Sequence, residues 1–134
     1  MHDHHRALIY TMIIVAAADS DMADAELVTI GDIVGHLPIF RDFDRKTLPA
    51  LLKDCTELIN RTAGLDETLK AIKAGLPTKL RETAYAIACD LVASDGDASQ
   101  EELRLLELIR DRLGLDRLVA AAIERGARAR FQTL

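Results

Sequence analysis

Two short acidic segments hold the residues best suited to chemistry. Asp19, Asp21 and Glu26 follow the spacing D-x-D-x-x-x-x-E, and Asp95, Asp97 and Glu102 repeat it. Two aspartates at alternate loop positions, followed by a glutamate in the first turn of a helix, can gather carboxylate oxygens around one point. Six such groups drawn together would repel one another and raise their pKa values unless a cation neutralised them. An all-oxygen donor set suits a hard divalent ion such as calcium, magnesium or manganese rather than zinc. The segments are not EF-hand loops, which need a Gly at the sixth position and a ligand at the twelfth. Those positions hold Asp24 or Gln100, and Ile30 or Leu106.

The same residues also have a structural use. Acidic groups near a helix N-terminus complement its dipole, and Ser99 with Glu102 fits the S-x-x-E capping box. Capping accounts less well for the first copy, where Ala23 replaces Ser99 yet Glu26 and both aspartates remain. On a helix beginning at Ser99, Glu102 shares a face with Leu105, Leu106, Ile109 and Leu113, whereas Glu101 falls beside Arg104. Glu102 is therefore expected to turn inward and Glu101 outward. A cation site and a pair of capped helix starts both remain open.

The elements that must position these residues are themselves repeated. Laying Asp19 over Asp95, an offset of 76 residues, pairs Ala17 with Ala93, Asp21 with Asp97, Glu26 with Glu102 and Leu27 with Leu103, without a gap. The apolar register continues with Ile30 over Leu106, Ile33 over Ile109 and Leu37 over Leu113. Each copy, at about 7–37 and 83–113, reads as helix, acidic loop, helix.

Apolar spacing of three and four extends this to seven helices and no strand, an all-α, pseudo-symmetric bundle in a single domain over 1–134. Residues 7 to 18 are apolar almost all round, as in a helix buried on several sides. A second helix runs from about Asp24, with Leu27, Ile30, Val34 and Leu37 inward, and ends before Pro38. The linker Pro38 to Asp44 carries Ile39, Phe40 and Phe43, read as a staple onto the core. A third helix spans roughly 47 to 61, tolerates Pro49 in its first turn and stops at Gly64. A short fourth helix starts near Asp66, and the fifth runs from Thr78 to about Ser94. The sixth covers Ser99 to about Leu113. The seventh, about 115 to 129, is expected to bury Leu118, Val119, Ala122 and Ile123.

Length and composition support one soluble domain. The chain of 134 residues is 49% hydrophobic but only 4% aromatic, so Ala, Leu, Ile and Val must fill the core. Acidic residues outnumber basic ones by 22 to 17, for a formal net charge of −5. That balance opposes a nucleic-acid footprint and favours cations as small partners. Arg125, Arg128 and Arg130 could touch an anionic surface, but they also complement the negative end of the last helix. Cys55 and Cys89 sit in helical patterns, without zinc-knuckle or disulfide spacing, as buried thiols of a reducing cytoplasm would. The opening segment has the makings of a signal peptide, yet a similar Ala-rich run recurs at Ala84 to Ala93, where no export signal could operate. No stretch reaches the roughly 18 apolar residues needed to span a bilayer.

Other candidate groups carry weaker readings. His2, Asp3, His4 and His5 could bind a borderline metal, although terminal residues usually lack fixed structure. His36 falls where an imidazole meets the last carbonyls of a helix. Asp90 is either an extra ligand near the second loop or a solvated edge residue. There is no G-x-S-x-G, no Gly-rich phosphate loop and no H-E-x-x-H, so no catalytic residue is assigned.

The run Val92, Ala93, Ser94, Asp95, Gly96, Asp97, Ala98, Ser99, Gln100, Glu101, Glu102 resembles the TerB-like family, named for tellurite resistance and related to the N-terminal domain of a membrane-associated DnaJ-like co-chaperone. Asp19 to Glu26 is similar, with Ser20 at the usual glycine and Ala23 at the usual cap. The resemblance implies a seven-helix pseudo-symmetric domain with an acidic metal-binding surface formed by Asp19, Asp21, Glu26, Asp95, Asp97 and Glu102. It also implies a cytoplasmic, stress-related role and no known reaction. The leading expectation is a non-enzymatic domain that binds a divalent cation or a cationic partner, within a protein assembly that can be membrane-associated. The alternative is a protein-interaction or scaffold module, homo-oligomeric or not, whose carboxylates only cap helices and whose Ile39, Phe40 and Phe43 meet the partner. A third reading is a metal-dependent hydrolase, with paired carboxylates holding hydrolytic metals.

Overall fold

The computed structural model describes residues 3–18, 24–94, 96 and 98–134, with residues 24 and 25 described in backbone only. Among the described residues it is all-α. The helices are α1 (Asp3–Ala16), α2 (Asp24–His36), α3 (Leu48–Ile59), α4 (Gly64–Gly75), α5 (Thr78–Ser94), α6 (Gln100–Leu113) and α7 (Arg117–Arg130). Short 3-10 turns at Pro38–Phe40 and Arg45–Thr47 bridge α2 to α3.

The all-round apolar character of α1 has a direct outcome. From His5 to Ala16 every residue except Arg6 is buried, and Leu8, Ile9, Met12 and Ile13 are fully so. α3, α4 and α5 pack against it, so α1 is the central post of the bundle. Each large side chain taken out of water there contributes about 1.5–3 kcal/mol before entropy is counted. Close approach is possible because α4 ends in a glycine: a Cβ on Gly75 would lie 3.1 Å from the Asp3 carbonyl oxygen and 3.2 Å from Ala7 Cβ. Thr11, fully buried, donates its hydroxyl to the Ala7 carbonyl one turn back at 2.8 Å.

Three expectations are corrected. His4 and His5 are not part of a loose tail: α1 already includes both, and His5 is 1% exposed, while His2 lies outside the described residues. Gly64 is not the stop of α3. That helix ends at Ile59, Ala63 adopts a left-handed φ of 58°, and Gly64 opens α4 where a Cβ would lie 2.1 Å from the Ile59 carbonyl oxygen. The buried face of α7 is rotated from the one expected. Ala120 and Ala127 are buried and Ile123 partly so, while Leu118 is 80% exposed and Ala122 is exposed. Small alanines on the inner face let α7 lie close along α5, which outweighs the burial of one leucine.

Polar ties also join the helices. Asp66 at the start of α4 accepts from Arg112 near the end of α6 and from Lys70 one turn on, the latter at 3.1 Å. Asp90 on α5 pairs with Arg130 on α7, so it is an interhelical partner rather than a solvated edge.

Candidate functional site

The second acidic loop is bounded by well-defined ends. α5 closes with the Ser94 hydroxyl donating to the Leu91 carbonyl at 2.8 Å and the Gly96 N–H donating to the Ala93 carbonyl at 3.2 Å. Gly96 takes a φ of 85°, a conformation that costs glycine nothing. α6 then starts with a reciprocal cap. The Glu102 N–H donates to Ser99 Oγ at 3.1 Å, and the Ser99 N–H donates to Glu102 Oε1 at 3.0 Å. The capping box expected from S-x-x-E is therefore present.

Glu102 is nevertheless more than a surface cap. It is 2% exposed and shares its buried face with Leu105, Leu106, Ile109 and Leu113, while Glu101 and Arg104 are exposed. Glu26 is 7% exposed and is the third residue of α2, as Glu102 is of α6. The buried series Glu26, Ile30, Ile33 follows the same register as Glu102, Leu106, Ile109. Leu27, expected inward, is instead 38% exposed, like its repeat counterpart Leu103 at 45%. A carboxylate at the third helical position can take the inner side of the first turn because the helix dipole and backbone N–H groups favour negative charge there.

Asp19, Asp21, Asp95 and Asp97 lie outside the described residues, so of the six expected ligands only the side chains of Glu26 and Glu102 are described. Among the described residues alone, no group of three or more His, Cys, Asp and Glu is placed to hold a metal. The donor chemistry at the two glutamates fits a hard cation. A carboxylate offers about four lone-pair sites, so accepting the Ser99 N–H does not exhaust Glu102 as a ligand.

The remaining candidates resolve into structural groups. His36 Nδ1 lies 2.5 Å from the Asp32 carbonyl oxygen, as expected of an imidazole at a helix end. Cys55 and Cys89 are buried free thiols, and burial pushes both up to about 12. Phe40 and Phe43 are buried, which makes the linker a staple and withdraws it as a docking surface.

Two clusters escaped sequence reasoning. His5 Nε2 donates to the Ile39 carbonyl at 2.7 Å and lies 3.4 Å from Asp42 Oδ1. Its ring stacks on Phe40, with centroids 5.6 Å apart, and meets the edge of Phe43 at 5.3 Å. The signal was present: His5, Leu8, Ile9 and Met12 stand three, four and seven apart. The other is Tyr85, 1% exposed, whose hydroxyl donates to Glu124 at 3.0 Å.

No curated protein and no solved structure matches the chain. The family model described as tellurite resistance protein TerB matches residues 5–125, a span that includes both acidic loops and all seven helices in whole or in part. The chain therefore belongs to the TerB family.

Proposed function

We propose that this TerB domain is a non-enzymatic cytoplasmic module that takes a divalent cation at its two acidic loops, in tellurite resistance or a related stress response. The ligands in this reading are Asp19, Asp21, Glu26, Asp95, Asp97 and Glu102. The observation that carries it is the burial of Glu26 and Glu102 at equivalent positions of the repeat. A carboxylate need not be buried to cap its helix, and one placed inside keeps acceptor capacity for a hard cation. That the pattern recurs without a capping side chain at Ala23 favours a use beyond capping.

Thermal unfolding of chelator-treated protein, with calcium, magnesium and manganese added separately, tests the proposal. A cation at one hundred times its dissociation constant stabilises by about 2.7 kcal/mol, a rise of roughly 10 °C for a domain of this size. The rise should vanish in Asp19→Asn with Asp95→Asn. No rise with any of the three ions overturns the reading.

A second reading, an interaction module whose carboxylates serve the helices alone, draws on the complete capping box at Ser99 and Glu102. Its docking surface would not be the Phe40 and Phe43 linker.

A further inference from the structure

α7 packs on α5 and hardly touches any other helix, so its outer half faces water. At about 3.6 residues per turn, Ala120 and Ala127 fall on the inner half, and both are buried. Arg117, Leu118, Ala121, Ala122, Arg125 and Arg128 fall on the outer half, and all six are exposed. Leu118 is 80% exposed, the most open large apolar side chain within any described helix.

The charge of α7 is segregated too. Its 14 residues hold four arginines and one glutamate, a net +3 in a chain whose net charge is −5. The acidic groups at this helix are committed elsewhere. Glu124 is partly buried and accepts the Tyr85 hydroxyl at 3.0 Å, and Asp116 caps the helix by accepting from the Leu118 and Val119 N–H groups. Arg130 is paired with Asp90. Arg117, Arg125 and Arg128 make no ion pair or hydrogen bond among the described residues. The outer face of α7 is thus basic and carries no acid, while the remainder of the chain is net acidic.

We propose that α7 is a peripheral contact with an anionic lipid surface, Leu118 entering the boundary of the acyl chains and Arg117, Arg125 and Arg128 meeting lipid phosphates. The shape of the face selects among anionic partners. A lone helix on the edge of the body is a convex ridge with one large apolar side chain. A folded protein partner needs an apolar patch or a groove to dock, and this ridge presents neither. A bilayer deforms around one leucine, and arginine stems lie along it while their guanidinium groups take phosphate oxygens in pairs. Duplex nucleic acid also offers phosphates but gives Leu118 no apolar host. The body of the chain stands behind α7, and salt screens its negative charge over about 8 Å. Contact is superficial, since no described helix is long and apolar enough to cross a membrane. This inference does not rest on the cation reading.

Sedimentation of the full chain with sucrose-loaded vesicles tests it, in EDTA so that no cation bridges the acidic loops to lipid. Vesicles of phosphatidylcholine alone are compared with vesicles of equal parts phosphatidylcholine and phosphatidylglycerol. Binding should appear with the second kind only and weaken as salt rises. Each arginine near such a surface is worth about a fivefold change, so Arg117→Glu with Arg125→Glu should weaken binding about twentyfold or more. Leu118→Ser should weaken it about fivefold. Arg117→Lys with Arg125→Lys should bind almost as the native chain does. So should Lys53→Glu with Arg61→Glu, which changes the net charge equally at exposed positions on α3 and just beyond it. Circular dichroism establishes that each variant is folded. No binding, equal binding to both vesicles, full binding by Leu118→Ser, or an equal loss from the Lys53 and Arg61 pair overturns the proposal. So does binding of duplex DNA or polyglutamate as tight as that of the charged vesicles, which would assign the face to another polyanion. Binding that appears only when calcium replaces EDTA also overturns it and places the contact at the acidic loops, so the two failures are distinguishable.

Discussion

The Tyr85 hydroxyl, buried under α7, donates to the Glu124 carboxylate at 3.0 Å and so ties α5 to α7 from beneath. Burial, followed by the charge of its neighbours, pushes the Tyr85 phenol far above its ordinary value, so it stays a donor at any physiological pH. Tyr85→Phe should lower stability by about 1–2 kcal/mol, read as an earlier denaturation midpoint at unchanged slope. Glu124→Gln, whose amide oxygen still accepts, should cost less. Equal losses in the two variants would mean that packing, not the hydrogen bond, holds α7.

Two glycines should respond to alanine in opposite directions. At Gly64 the added Cβ would sit 2.1 Å from the Ile59 carbonyl oxygen, so the turn between α3 and α4 must move. Gly64→Ala should destabilise by about 2 kcal/mol or more. At Gly31, within α2, the nearest atom to a new Cβ is Arg45 Nη2 at 3.8 Å, an ordinary contact. Gly31→Ala should raise stability by up to about 1 kcal/mol through helix propensity. Thermal melts of the two variants side by side decide the matter.

Acid sensitivity should be traceable to Asp66. The Arg112 guanidinium, and then Lys70, hold its carboxyl below the ordinary value of 3.8. Because the folded-state value is depressed, the group contributes stability above the unfolded value. That contribution is lost as pH falls through the folded one. Asp66→Asn should therefore be less stable than the native chain near pH 7, and the gap should close below about pH 4. A gap that persists at pH 2 would assign the effect to packing between α4 and α6.

The two thiols set an alkaline counterpart. Burial raises Cys55 and Cys89 from 9.0 to about 12. Groups raised in the folded state stabilise fully below the unfolded value, and that contribution is lost as pH climbs from about 9 towards 12. At pH 8 both thiols should react with a disulfide reagent only at the rate of unfolding, and rapidly once denaturant is added. Fast labelling of the folded chain would show that one of them opens to solvent without global unfolding.

Much of this architecture is legible from spacing alone. α5 spans Thr78 to Ser94 as its flanking Pro77 and acidic loop imply, and the inward turn of Glu102 follows from its register with Leu106 and Ile109. Where reasoning from the sequence failed, competing physics was at work. A terminal position argues against fixed structure at His5, yet it completes the Leu8, Ile9, Met12 face and finds a carbonyl partner in a linker 34 residues away. On α7 the apolar spacing points Leu118, Val119, Ala122 and Ile123 inward, whereas Ala120 and Ala127 face α5 and leave Leu118 and Ala122 in water. Only Glu26 and Glu102 of the six assigned carboxylates fall within the described residues, and both are buried.

The burial of α1 on nearly every side has a consequence for biosynthesis. α5, one of the helices that cover it, ends at Ser94, 78 residues after Ala16. At about 5–20 residues per second the ribosome needs on the order of ten seconds to make that stretch, during which the most oily helix of the chain has no permanent shelter. Nascent chains halted before α5 should be the species that chaperones hold and that aggregate when chaperones are scarce. A synonymous slowdown in the codons for α4 should lower soluble yield without altering the finished protein.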